Sequence, residues 1–372
     1  MTADELAFLR LILADPDADG PRLVYADWLD EHGHPDRAEF IRVQCALAQM
    51  PEDAPRREVF RQRDLVLREQ YRAEWSGPLA GLASEWDFHR GFPDDVKIEA
   101  RAFLSHAAAL FGALPIRRME LRDVAGHLPQ IGQSQHLAGL RDLKVSGTQV
   151  GNALPKALAA SPHLRGLARL DLDRNHISDD GARALAATPN LAGLTALDLG
   201  RNEIGPAGAA ALAASPHLGR LVELRLGHNP VGLSGGEALL TSTRLTSLTR
   251  LDLGRTGCGP AALRDAAAAV AGPRLEFLDL AGNGLGDAGA QLFGEWSRLA
   301  SLRDLDLSHD EIGDEGAAAL AKAAPLQGLQ RLALVGNRMT DVGKQLLKSS
   351  PTLRQTVLDL RENWSPLAVF RR

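Results

Sequence analysis

Two glycine-rich stretches hold the residue spacings with the most chemical potential. Gly284-Leu-Gly286-Asp-Ala-Gly289 has the G-x-G-x-x-G form that lets a turn approach a pyrophosphate at a helix N-terminus. Gly232-Leu-Ser234-Gly-Gly236 has the G-x-S-x-G form of a nucleophile elbow. His32 and His34, near Asp30, Glu31 and Asp36, offer imidazole and carboxylate groups to a metal. His163 and His217 each stand in Ser-Pro-His-Leu, and Cys45 and Cys258 are the two thiols. Each feature also has a plainer reading. Gly286 has Gly205, Gly232 and Gly313 as equivalents, and Ser234 aligns with Asp180, Ala207, Ala288 and Glu315. Asn190 fills the copy midway between His163 and His217, which points to turn structure. The histidine pair near residue 32 reads as an exposed loop. Cys258 falls in an apolar register and Cys45 on a helix face, so neither reads as a nucleophile. No catalytic residue, metal or cofactor is therefore expected.

What positions all these residues is a repeat. From about Ile116 the pattern L-x-x-L-x-L-x-x-N recurs, as in Leu167, Leu170, Leu172 and Asn175, then Leu194, Leu197, Leu199 and Asn202. The last position runs Thr148, Asn175, Asn202, Asn229, Thr256, Asn283, Asp310, Asn337, each 27 residues after the one before. Val124 precedes and Asn363 follows, so the spacing predicts ten strand units. From Asn175 to Asn337, glycine stands six residues past this position, except for Ala262, and ten past it usually leucine. The L-x-L core alternates with period 2 and predicts a short strand. The alanine-rich stretch that follows predicts a helix. One turn cannot bury its leucines alone, so stacked turns share a core and align their strands about 4.8 Å apart. The asparagine side chains can satisfy backbone groups between turns.

These registers resemble the ribonuclease-inhibitor-like class of leucine-rich repeats over roughly two-thirds of the chain. The resemblance implies an α/β horseshoe solenoid, with parallel strands on the concave face and helices on the convex face. It also implies a binding role. The near absence of cysteine departs from ribonuclease inhibitors, so that particular ligand is not implied.

Residues 1–90 do not repeat. Thr2-Ala-Asp-Glu5 predicts a capping box, Pro21 and Pro35 the first turns of further helices, and Leu67, Tyr71 and Trp75 the apolar face of a fourth. Arg22-Leu-Val-Tyr-Ala-Asp-Trp-Leu29 and Arg37-Ala-Glu-Phe-Ile-Arg42 are similar to the bacterial repeat-companion domain found ahead of repeat arrays. Trp86-Asp-Phe88 and Arg90-Gly-Phe92 resemble the junction of such proteins. The resulting division is a small helical domain with junction at 1–90 and a solenoid at 91–372. The resemblance carries no activity; capping the first solenoid turn is the expected role.

The formal charge of −5 gives no footprint for nucleic acid, and 5% aromatic content gives few stacking platforms. No run of about 18 apolar residues predicts a membrane span. The acidic start lacks a secretory pattern, and two distant cysteines suit a reducing compartment, so a cytoplasmic protein is expected. Between the last two strand leucines lies a column containing Asp171, Asp198, Arg225, Asp252, Asp279 and Asp306. Beside it stand Arg174, Arg201, His228, Arg255 and His309. Aspartate with neighbouring arginine can be ordinary repeat chemistry, or a charged concave groove for a protein with a basic surface. The expected function is a non-catalytic interaction scaffold. The alternative is a regulator of an enzyme, such as a GTPase-activator-like repeat protein. Trp364, Leu367, Val369 and Phe370 would cap the solenoid's end or form a self-association edge.

Overall fold

A computed structural model describes residues 3–363, so Thr2 of the capping box and the cluster at Trp364, Leu367, Val369 and Phe370 lie outside the described residues. The chain divides into two compact units, Met1–Lys144 and Val145–Arg372.

The first unit opens with four helices: α1 (Ala3–Ala14), α2 (Gly20–Glu31), α3 (Pro35–Gln49) and α4 (Arg57–Trp75). Proline in the first turns of α2 and α3 loses no hydrogen bond there, because those N–H groups have no partner within the helix. Leu9, Ile12, Tyr25, Leu29, Ile41 and Cys45 form one core with Phe92. Phe40, Leu67 and Phe88 form a second, with Phe88 edge-on to Phe40 at 5.2 Å between ring centres.

Where the sequence suggested only a junction, β1 (Ala83–His89) and β2 (Phe92–Glu99) form an antiparallel hairpin. Its turn residues Arg90 and Gly91 have φ of +53° and +87°, the left-handed pair that matches strand twist. A Cβ on Gly91 would lie 2.9 Å from Ile41 Cα, so the turn can seat on α3 only as glycine. Gly91 N donates to Gln44 Oε1 at 2.7 Å, and Arg22 Nε donates to the Arg90 carbonyl at 3.1 Å. Then follow α5 (Ala100–Ala113), β3 (Arg118–Arg122), α6 (Leu128–Gln133) and β4 (Asp142–Lys144). Strands β2, β3 and β4 are parallel, so β2 covers the edge of β3 that would otherwise present unpaired backbone groups.

The second unit alternates helix and strand: α7 (Ala153–Ala159), β5 (Arg169–Asp171), α8 (Asp179–Ala187), β6 (Ala196–Asp198), α9 (Pro206–Ala213), β7 (Glu223–Arg225), α10 (Gly232–Leu240) and β8 (Arg250–Asp252). It continues through α11 (Gly259–Ala268), β9 (Phe277–Asp279), α12 (Gly286–Leu292), β10 (Asp304–Asp306), α13 (Asp314–Leu320), β11 (Arg331–Ala333), α14 (Asp341–Lys348) and β12 (Val357–Asp359). From β5 to β12 every neighbouring pair is parallel and in register, so Leu170 pairs with Leu197, Leu197 with Leu224, and onward. The column from Leu170 to Leu332 is buried, with Leu172 and its equivalents beside it. This is the α/β architecture that the period predicts.

Two polar ladders stitch successive turns. Asn202 Oδ1 accepts from Asn175 N at 2.9 Å and Ile177 N at 3.0 Å. Its Nδ2 donates to the carbonyls of Leu172 (3.0 Å), Leu199 (2.9 Å) and Gly200 (3.1 Å). One buried amide thereby satisfies groups from two turns, as the repeat predicts. The second ladder caps helices from the preceding turn. Asp179 Oδ1 accepts from Gly205 N at 2.7 Å and Gly208 N at 2.8 Å, at the start of α9. Asp287 does the same for Gly313 and Gly316, and Asp314 for Thr340 and Gly343. A carboxylate at a helix N-terminus is favoured by the helix dipole. This explains glycine at Gly208, Gly316 and Gly343: a Cβ on Gly208 would sit 2.6 Å from Asp179 Oδ1.

The motifs that suggested chemistry are spent on this architecture. Within the G-x-G-x-x-G stretch, Asp287 is committed to the next turn. Ser234 lies in the first turn of α10, where the neighbouring Gly236 packs against Cys258. Burial raises the thiols of Cys45 and Cys258 to about 12 and about 11, away from thiolate reactivity. His32 stacks on Trp28 at 4.0 Å between ring centres.

Candidate functional site

The strand face of the second unit is ruled into columns by the in-register pairing. Asp171, Asp198, Arg225, Asp252, Asp279 and Asp306 follow one another along β5 to β10. The aspartates are half-buried, because each leans onto its own strand exit. Asp198 Oδ1 accepts from Gly200 N at 2.9 Å, Asp252 from Gly254 N, Asp279 from Ala281 N and Asp306 from Ser308 N, all at 2.9 Å. Asp171 accepts from Asp173 N at 3.0 Å. Such Asx turns tie one carboxylate oxygen to the backbone.

Burial works against ionisation at the three aspartates of β6, β8 and β9. It raises Asp198 and Asp252 above the ordinary carboxylate range, against opposing backbone hydrogen bonds and Arg225. Asp279 is pushed up to about 7, by burial first and then by repulsion from Asp252 and Asp306. Arg225 Nη1 lies 3.5 Å from Asp198 Oδ2, and its other nitrogen 2.6 Å from Glu223 Oε1. The acidic column thus meets a cation at β7, while at β9 protonation takes the cation's place.

The basic residues occupy the turn after each strand in left-handed backbone. Arg174, Arg201, His228, Arg255 and His309 have φ from +50° to +59°. Glycine fills the same place at Gly147, Gly282 and Gly336. A side chain in this conformation costs roughly 1 kcal/mol relative to glycine. Arg201 Nη1 reaches Asp173 Oδ1 at 3.3 Å, and Arg174 Nε reaches Asp173 Oδ2 at 3.5 Å. Among the described residues His228, Arg255 and His309 make no ion pair. Arg255 lies over Gly282, where a Cβ would meet its Cγ at 2.9 Å.

Between the acidic and basic columns runs a strip of small residues: Gly200, Gly227, Gly254, Ala281 and Ser308. A Cβ on Gly227 would come within 2.8 Å of the Asp252 carboxylate, so the strip is the space into which the aspartates lean. The result is a depression of about 310 Å³ lined by Asp198, Arg201, Arg225, His228, Asp252, Arg255 and Asp279, with Asp173 at one end. Of the predicted residues, these seven share one site. Asp171, Arg174, Asp306 and His309 lie outside its lining, along the same columns. A second depression of about 160 Å³ adjoins it at Glu223, Arg225, Arg250, Asp252 and Phe277, where Arg250 lies over the Phe277 ring at 4.6 Å.

Asp173, Phe277 and the small strip are site residues that the column reading left out. The strip repeats with the same 27-residue step, so its signal was available. The contribution of Asp173 comes from a side chain reaching across a turn, which spacing does not show.

A family model described as Leucine Rich repeat matches residues 163–186, 194–213, 221–240, 274–294 and 298–321. No curated protein matches the chain in sequence. Solved structures similar to it include a chain of the yeast Rad7 and Elc1 complex, 14% identical. It is covered over 94% of its length by 98% of this chain, with a TM-score of 0.50. A protein of Bacteroides fragilis is 17% identical, with 67% of this chain covering 76% of that one and a TM-score of 0.46. A chain of the mouse RP105/MD-1 complex is 18% identical with a TM-score of 0.40. There 68% of this chain spans 44% of the other, less than half its length. With its in-register parallel strands, alternating helices and asparagine ladder, the chain carries an α/β leucine-rich-repeat solenoid.

Proposed function

We propose that this chain is a non-catalytic scaffold that holds a protein partner against the strand face of its solenoid, the face expected to be concave. The observation that carries the reading is the depression at β6–β9. Half-buried aspartates share it with His228 and Arg255, whose side chains make no direct ion pair among the described residues; His228 acts on Asp252 only at longer range. Basic side chains on the partner would neutralise Asp252, Asp279 and Asp306, and acidic ones would meet His228 and Arg255. Such pairing steers association and makes it salt-sensitive. Asp171, Arg174 and His309 would extend the same surface along the columns. The yeast chain of similar fold belongs to a complex, which is consistent with partner binding as one use of this architecture.

The proposal places the protein in the cytoplasm, where free buried thiols are at home. Residues 1–90 serve in it as the companion-like cap of the repeat array. The test is affinity capture by the full chain from its native cell extract, at low and at high salt, with mass-spectrometric identification. A stoichiometric partner lost at high salt is the expected result. A partner held equally at both salts would sink the charged-groove reading, and steady turnover of a captured small molecule would sink the non-catalytic one.

A further inference from the structure

A buried leucine leads into every turn of the second unit but one: Leu164, Leu191, Leu218, Leu245, Leu299, Leu326 and Leu353, none more than 3% exposed. The column advances by 27 residues, and where a leucine is due it has Gly272. The same turn departs elsewhere, with Thr256 for asparagine, Ala262 for glycine and Ala266 for leucine. Losing a large apolar side chain from a column of leucines leaves a hole.

A charged side chain has moved into that hole. Arg298, from the following turn, lies where a Cβ of Gly272 would be; the two would overlap. Its Nη2 donates to the Ala266 carbonyl at 2.7 Å, near the C-terminal end of α11, and its Nε is buried without a partner. Among the described residues no carboxylate pairs with Arg298 or with Arg274. Both line an open surface depression of about 410 Å³ with Ser242, Thr243, Thr246 and the Val270–Gly272 segment, and no carboxylate lines it. Ser242 is spent, donating to the Ala213 carbonyl and accepting from Arg244 N and Leu245 N. The hydroxyls of Thr243 and Thr246 have no partner among the described residues.

Arg298 is only partly withdrawn from water, but its Nε is buried with no partner and its charge has no counter-charge, a deficit that a bound anion offsets. We propose that this depression is a binding site for a phosphate monoester. Arg298 and Arg274 would supply planar forks to the phosphoryl oxygens, and the two threonines additional hydroxyl donors. The volume is in the range of small-ligand pockets, which leaves room for the ester's organic part against Val270 and Ala271. The site is independent of the strand-face depression; the two share no lining residue.

The test is calorimetric titration of the full chain with O-phosphoserine, a phosphoserine peptide, inorganic phosphate and sulfate, repeated on Arg274→Gln and Arg298→Met. The phosphate monoesters should bind more tightly than inorganic phosphate or sulfate. Arg274→Gln should weaken them by about tenfold or more, and Arg298→Met should abolish them. Arg274 is exposed, so its variant should keep the parent's melting temperature without ligand, which keeps the test decisive if Arg298→Met fails to fold. Tighter binding of the peptide than of free phosphoserine would identify a modified protein as the source; equal binding would identify a small organic phosphate. No binding of any phosphate, unchanged affinity in Arg274→Gln, or sulfate bound as tightly as phosphoserine would overturn the proposal.

Discussion

The turns flanking the middle of the solenoid and the turns at its middle are built to different standards. In the flanking turns Asn152, Asp179, Asp287 and Asp314 each reach forward and cap the next helix. At the middle the corresponding residues are Pro206, Leu233 and Pro260, which cannot do so. The asparagine ladder is interrupted there by Thr256, and the leucine column by Gly272. Both the strand-face depression and the arginine-lined one lie at this relaxed middle. A repeat array is stabilised by agreement between turns, so departures from the rule mark where the chain has given up stability for another purpose.

The largest effect should come from breaking the ladder where it is intact. Asn202→Leu would leave two backbone N–H groups and several carbonyls unsatisfied in the core. Urea denaturation should show a loss of roughly 3–5 kcal/mol. The equivalent site at the middle should behave differently. Thr256→Asn restores the ladder residue and should leave stability unchanged or raised. A comparable loss at both sites would erase the distinction drawn here.

Next in size is Asp310, the aspartate of the asparagine ladder. Its Oδ1 accepts from Asn283 N at 2.7 Å and Leu285 N at 3.3 Å, as an asparagine would. Its Oδ2 is buried without a partner, in the position of an amide nitrogen. The carbonyls that such an amide would meet, those of Leu280 and Leu307, already accept from Asn283 and Asn337. A proton on Oδ2 relieves that confrontation, and burial raises Asp310 to about 7. The folded state then holds a proton that the unfolded state, with an ordinary carboxylate, releases. The contribution of Asp310 to stability is therefore fully present below about pH 4, is lost as the pH rises toward 7, and stays absent above it. Repulsion from Asp306 acts in the same direction. Asp310→Asn should flatten that slope and stabilise the protein by roughly 2 kcal/mol at pH 8. An unchanged pH profile of the melting temperature would contradict the assignment.

The smallest effect should be Asp179→Ala, which removes a cap supplied from outside the helix. A loss of about 1 kcal/mol is expected. Deuterium exchange should quicken at the first turn of α9 and stay unchanged at α10, which Pro206 already leaves uncapped from the preceding turn.

Much of this fold was legible because each register repeats a residue type for a single physical reason. The leucine columns and Asn175, Asn202 and Asn229 are cases where type and position predict the contact. The capping ladder was harder to see, since proline and leucine interrupt its column. The hairpin at Ala83–Glu99 was hidden because its strands carry Asp87, Asp94 and Asp95 among the apolar residues. Asp94 accepts from Arg117 N and pairs with Arg118 at 3.2 Å, a contact made only once β3 is alongside. For the candidate site, the charged columns could be read from spacing. Which of their residues meet around one depression depends on how far each carboxylate leans into the glycine strip. Arg298 gave no signal in the sequence, because a side chain filling a neighbour's missing leucine is a property of stacking.

The central claim is that the strand face holds a partner. Its most direct test is capture by the parent chain beside two charge-reversed forms. One carries Asp198→Lys and Asp252→Lys on the strand face; the other carries Arg183→Glu on the exposed surface of α8. The account predicts that the strand-face form keeps its circular dichroism but loses the salt-sensitive partner, while the helix-face form retains it. Equal capture by all three would contradict the account.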